Sequence, residues 1–134
     1  MRLGAVGERD GRAALWLGPD EWLLIAEGEA PAALGAALVT ALAGLPNSLV
    51  DVSRRQIGLD LSGPLAMRAL SAGCPLDLSD GAFPVGMATR TMLAKCEIVL
   101  WRRDPQRYHV EIWRSFADYA ANFLAEAARR APPT

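Results

Sequence analysis

The chain has one histidine, His109, and two cysteines, Cys74 and Cys96, among its 134 residues. That scarcity removes whole classes of chemistry. Zinc takes three or four clustered nitrogen or sulfur ligands, and neither C-x-x-C nor H-x-x-x-H occurs here. Two cysteines make no disulfide framework, so a reducing, cytoplasmic setting is expected. Charge of one sign is lacking as well: 14 Lys and Arg stand against 15 Asp and Glu, a formal net charge of -1. Such a balance offers no field to draw nucleic acid or an anionic membrane. No charge-free apolar segment reaches the about 18 residues that a membrane span needs. The N-terminal MRLGAVGERDG has no apolar core of a signal peptide. A phosphate cradle is also missing, because Gly63 stands alone before Pro64 with no Lys-Ser or Lys-Thr after it.

What remains is ordinary material for one domain, residues 1–134, with 51% apolar and 22% charged residues. The pattern reads as hairpin, helix, hairpin, helix, long loop, hairpin, helix. Residues 14–28 hold two short apolar strands around Gly18-Pro19-Asp20-Glu21, where Pro19 suits the second turn position. Leu34, Leu38, Ala41, Leu42 and Leu45 then recur at helical spacing. Val50 and Val52 alternate with polar residues, as do Ile57, Leu59 and Leu61, which predicts a second hairpin. Leu65, Ala66, Ala69 and Leu70 form the buried stripe of a short helix started by Pro64. Gly73 fits the left-handed position that ends many helices. In the third unit Ala94, Cys96, Ile98 and Leu100 share one strand face and Lys95, Glu97, Val99 and Trp101 the other. Asp104-Pro105 turns into a strand carrying Tyr108, Val110 and Ile112. Phe116, Tyr119, Ala120, Phe123, Leu124 and Ala127 form the stripe of a final helix. Arg102, Arg103 and Arg107, with acids among them, read as a solvated hairpin end. The first and third units repeat one order: strand, proline turn, tryptophan-bearing strand, helix. These alternations predict an α+β fold, a mainly antiparallel sheet built from hairpin-helix units with helices packed on one face.

No catalytic constellation stands out. His109 reads as a surface histidine on a strand. Cys74 follows a helix C-terminus, whose dipole disfavours a thiolate, and Cys96 alternates with core residues, so both read as small buried hydrophobes. The stretch CPLDLSDGAFPVGM, residues 74–87, is longer than loops in compact domains usually are, and it is apolar. Leu76, Leu78 and Phe83, with Trp101 and Trp113 near hairpin and helix ends, are therefore the expected interface residues for a partner.

Several blocks together carry a resemblance: LGPDEWLL (17–24), VDVS with GLDLSGP (50–64), GCPLDL (73–78), AFPVGMATRTMLAKCEIVLWR (82–102) and IWRSFADY (112–119). In this order they resemble the gamma subunit of heterotetrameric sarcosine oxidase, over residues from about 14 to 125. The resemblance implies a noncatalytic chain assembled with alpha, beta and delta subunits. Such an oxidase demethylates sarcosine to glycine and passes the one-carbon unit to tetrahydrofolate. The resemblance places FAD, FMN and NAD on the alpha and beta chains and zinc on delta, with no cofactor in this one. It also implies a fold similar to the folate-binding domain of glycine-cleavage aminomethyltransferases, which leaves a free-standing folate or one-carbon binding module as the alternative. Where those enzymes carry an Asp-Asp pair, this chain reads Cys96-Glu97. The resemblance also implies a further segment before LGPDEWLL, where only about a dozen residues stand here, so either the start is misassigned or this is a shorter variant with an open sheet edge.

Overall fold

A computed structural model describes residues 3–130. In chain order its elements are β1 (Val6–Arg9), β2 (Arg12–Gly18), β3 (Glu21–Ala26), α1 (Pro31–Ala41), β4 (Gln56–Ser62), α2 (Ala66–Ser71), β5 (Ala88–Leu93), β6 (Cys96–Asp104), β7 (Arg107–Trp113) and α3 (Ala117–Arg130). Strand β6 is apolar on both faces and is accordingly buried on both, from Ile98 to Arg102. It lies inside a four-stranded antiparallel sheet of order β4-β7-β6-β5. On one face Cys96, Ile98 and Leu100 join Tyr108, Val110 and Ile112 under α2 and α3, which contribute Ala66, Ala69, Leu70, Ala117, Ala120 and Leu124. On the other face Val99, Trp101 and Ala88 pack against Ala13 and Leu15 of a second, three-stranded sheet, β1-β2-β3. An isolated bridge, Ala5 to Met87, joins the two sheets, flanked by the Ala88 N–H donating to Gly4 and the Val6 N–H donating to Gly86. The mixed antiparallel α+β fold thus has three layers: helices, sheet, sheet.

The second sheet is what the strand pattern alone did not reveal. Helices cover one face as expected, and the tryptophan hairpin of residues 12–26 covers the other. The edge of β2 that was expected to be open is paired by β1, from Val6 opposite Leu15 to Arg9 opposite Arg12. The hairpin expected at residues 50–62 keeps only its second strand. Val50 is 62% exposed and finds no ladder partner. Asp51 instead accepts the Ser53 N–H at 2.9 Å, which turns the chain into β4. Gly73 is needed for space rather than for a positive φ: a Cβ there would stand 2.7 Å from the ring of Phe123 on α3. That helix buries Ala117, Ala120 and Leu124, while Phe116 and Tyr119 are 45% and 43% exposed.

The long 74–87 segment belongs to the core. Leu78 is 3% and Phe83 2% exposed, and Leu76 packs against the same cluster. Asp77 accepts the Ser79 N–H at 2.9 Å, which holds its carboxyl below the usual range. The segment is fastened by Arg102, which is 2% exposed rather than solvated. Its guanidinium donates to the Phe83 and Pro105 carbonyls at 2.9 Å each, reaches Asp80 at 2.8 Å and sits over the Tyr108 ring. Its backbone carbonyl accepts from Gly86 and its N–H donates to Met87. Trp101 is equally enclosed, 2% exposed beneath β2 with the Arg103 guanidinium 4.5 Å from its ring centre.

Deleting these groups should unfold the domain rather than spare it. Phe83→Ala is expected to cost about 3–5 kcal/mol, and Arg102→Met about 3 kcal/mol, since the buried Phe83 carbonyl loses its donor and the Pro105 carbonyl its tie to the segment. Asp80 is 89% exposed, so Asp80→Asn should cost no more than about 1 kcal/mol. Urea unfolding of the three variants checks the ranking.

Candidate functional site

Helix α1 has no polar face. From Ala30 to Val50 the chain carries no charged residue, and among the eleven residues of α1 none is buried. Pro31 starts it and no side chain caps it. Leu34, Leu38 and Leu42 are partly covered, whereas Val39, Leu45, Leu49 and Val50 are 65%, 60%, 41% and 62% exposed. A helix that is apolar all round is normally enclosed on all sides. Left open, it forms an apolar patch of the kind that marks an interaction surface. The leucine spacing predicted the helix and said nothing of what covers it. The missing charges over 21 residues (30–50) were the better signal.

A second feature lies under the start of this helix. Between β3 and α1 on one side and β4 and β7 on the other is a cleft of about 180 Å³, lined by Leu23, Leu34, Val52, Gln56, Gly58 and Glu111 among others. Glu111 on its wall is paired with a histidine behind it: His109 Nε2 and Glu111 Oε1 are 2.6 Å apart, with side chains only 13% and 12% exposed. His109 also meets the edge of Trp101, with ring centres 5.8 Å apart. It is therefore a half-buried, partnered histidine and not a surface one. Gly58 makes room for it, because a Cβ there would stand 2.6 Å from His109 Cε1 and 3.1 Å from Glu111 Oε1. At the rim Arg12 donates through Nε and Nη2 to both oxygens of Glu29, which raises the guanidinium and lowers the carboxyl from their ordinary values.

Of the expected interface residues the structure leaves one at the surface. Leu78, Phe83 and Trp101 are spent on this chain's own cores, Leu76 is half-buried, and Trp113 at the end of β7 is 51% exposed. Leu78 and Phe83 are enclosed because Arg102 closes their loop onto the sheet, and Trp101 because the second sheet covers it. Glu97 projects to solvent and reaches Arg90 at 3.4 Å. Cys96 is 1% exposed and burial pushes its thiol up; Cys74, 7% exposed, lies 3.7 Å from the Thr91 hydroxyl. Among the described residues no group of three or more His, Cys, Asp and Glu side chains could hold a metal ion, and no helix is long and apolar enough to cross a membrane.

Fold and surface together define an α+β domain that presents an uncharged apolar helix. The chain belongs to the sarcosine oxidase, gamma subunit family, whose profile matches residues 2–130. It is 42% identical over 129 residues to the sarcosine oxidase subunit gamma of Corynebacterium sp. (strain P-1), covering 95% of this chain and 62% of that one. To the subunit of the same name from Arthrobacter sp. it is 41% identical over 122 residues, 90% of this chain and 59% of that one. The chain thus spans about three fifths of the length of these relatives. Its fold matches a chain of the heterotetrameric sarcosine oxidase from Corynebacterium sp. U-96, solved in complex with pyrrole 2-carboxylate. The TM-score is 0.88 at 38% identity, covering 99% of this chain and 69% of that one.

Two outcomes follow from this geometry. Gly58→Ala should destabilise by about 1–3 kcal/mol through displacement of His109, whereas Gly35→Ala on α1, with nothing within 4 Å, should stabilise by about 0.5–1 kcal/mol. Thermal melts of both variants test the contrast. The pH dependence is also set by burial, which raises the Cys96 thiol and, against the pull of the Arg102 charge, the Tyr108 phenol. The folded chain then keeps protons that the unfolded chain releases from about pH 9 upward. Stability should be complete below about pH 8 and fall as pH rises through 9 to 11. Urea midpoints at pH 7 and pH 10 check the sign.

Proposed function

We propose that this chain is a noncatalytic, assembly-type gamma subunit of a heterotetrameric sarcosine oxidase. The observation that carries this is α1, an uncharged helix with no buried residue in the chain itself. Burying such a helix against another polypeptide stabilises by roughly 25 cal/mol per Å² of apolar surface, whereas leaving it in water invites nonspecific association. The solved structure of similar fold is a heterotetrameric sarcosine oxidase, which supports other subunits as the cover. In this reading alpha, beta and delta chains hold FAD, FMN, NAD and zinc and handle tetrahydrofolate, and oxidation of sarcosine takes place on them. This chain completes their surface through α1 and residues 42–50, with Trp113 as a further exposed contact. Two buried, unpaired cysteines suit the reducing cytoplasm for that assembly.

Val39→Asp and Leu45→Asp place a charge on this face without touching a core. Each is expected to weaken co-purification with the larger subunits by about thirtyfold or more, as removal of a buried anchor does. The melting temperature of the isolated chain should stay within about 2 °C. Wild-type assembly by both variants would rule out α1 as the docking face.

A further inference from the structure

We propose that the cleft beside Glu111 is a binding site for a primary ammonium group carried on an apolar stem. The cleft is lined by two carboxylates, Glu29 and Glu111, by Gln56 and Ser53, and by no lysine or arginine. Glu29 is spent, since Arg12 takes both of its oxygens. Glu111 is not. Its Oε1 is held by His109, and its other oxygen carries no hydrogen bond from a described residue. Beside it, the Gln56 carboxamide oxygen is buried with no partner at all. Gln56 and Gly58 occupy the same face of β4, and Gly58 stands directly opposite Glu111, so the two acceptors are diagonal neighbours across the ladder.

A buried acceptor without a donor is unfavourable. Two acceptors on neighbouring ladder positions, in a cleft whose one nearby arginine is already spent on Glu29, define a donor-bearing, positively charged complement. The remaining walls are Leu23, Leu24, Ile25, Pro31, Leu34 and Val52. They would shield methylene groups while the ammonium reaches Glu111 and Gln56, as long cationic side chains do when they bury their stems. An ammonium fits better than a guanidinium because the cleft is about 180 Å³ and offers two separate acceptors rather than one bidentate carboxylate. His109 acts as a positioning residue that fixes Glu111, and the missing Cβ at Gly58 leaves room for both side chains.

The chemistry has two possible sources, a free primary amine or a lysine side chain from an adjoining polypeptide. The first arm of the test uses the full chain alone and so stands apart from the assembly reading. The chain is titrated with n-butylammonium chloride while two-dimensional NMR follows the Gln56 side-chain amide and the Gly58 backbone amide. Sodium butyrate is the control of opposite charge. Saturable shifts with the ammonium and none with butyrate are expected. Glu111→Gln and Gln56→Leu, each confirmed folded by its amide spectrum, should weaken binding by about fivefold or more. Absent or unsaturable shifts, equal shifts with butyrate, or wild-type binding by both variants would overturn the site. The second arm repeats the titration on the chain co-purified with larger subunits. Loss of the ammonium response there assigns the cation to a partner's lysine, and a retained response assigns it to a free amine.

Discussion

The Arg102 guanidinium is the contact on which the rest of the structure depends. It is buried at the junction of β6, the 74–87 segment and the β6–β7 turn, and it donates to one carbonyl from each of the last two. A segment of fourteen residues (74–87) with no regular structure has few ladder bonds of its own. Closing it onto the sheet requires a donor that can serve several acceptors from one point, which a planar guanidinium does and an ammonium does less well. Once the segment is fixed, Leu78 and Phe83 fill the space between the sheet and α2. Gly86 and Met87 then deliver the chain to β5 beside the bridge to Ala5.

That closure decides which apolar residues are available to the outside. Phe83, Leu78 and Trp101 are consumed internally, and the surface that stays bare is α1 with the residues after it. The two tryptophan hairpins are built alike, each with a register shift just before its proline turn. Their helices have opposite fates: α3 buries a stripe on the sheet, and α1 buries none of its residues among the described part of the chain. Equivalent units have thus been used once for a core and once for a face.

Much of this was legible in the sequence, because strand period and helix period are set by backbone geometry. The faces of β6 and β7, the buried stripe of Ala66, Ala69 and Leu70 and the burial of Cys96 follow from spacing alone. What spacing does not encode is which of two apolar patches covers which. Phe83 and Val39 look alike in composition, but only Phe83 has an arginine 19 residues later to anchor its backbone. His109 was misread for a related reason. Its partner Glu111 is two residues away on the same face, yet the contact depends on the empty space at Gly58, in a strand about fifty residues earlier. Where the hairpin was expected at Val50, Asp51 instead accepts the Ser53 N–H, a local turn that takes the place of a ladder.

The strand order also sets a timetable for synthesis. β5, β6 and β7 are sequential neighbours and can zip as a meander as they leave the ribosome, and β1, β2 and β3 can do the same much earlier. β4 is different. Its partner is β7, with Gln56 opposite Trp113 and Ser62 opposite Arg107, so it emerges long before anything can pair with it. Leu15, fully enclosed in the finished domain, likewise stays bare on the underside of the first sheet until Trp101 has been made. A nascent chain stalled between β4 and β6 therefore displays an unpaired strand, an uncovered sheet and an uncharged helix at once. That is the moment at which holding chaperones have the most to bind.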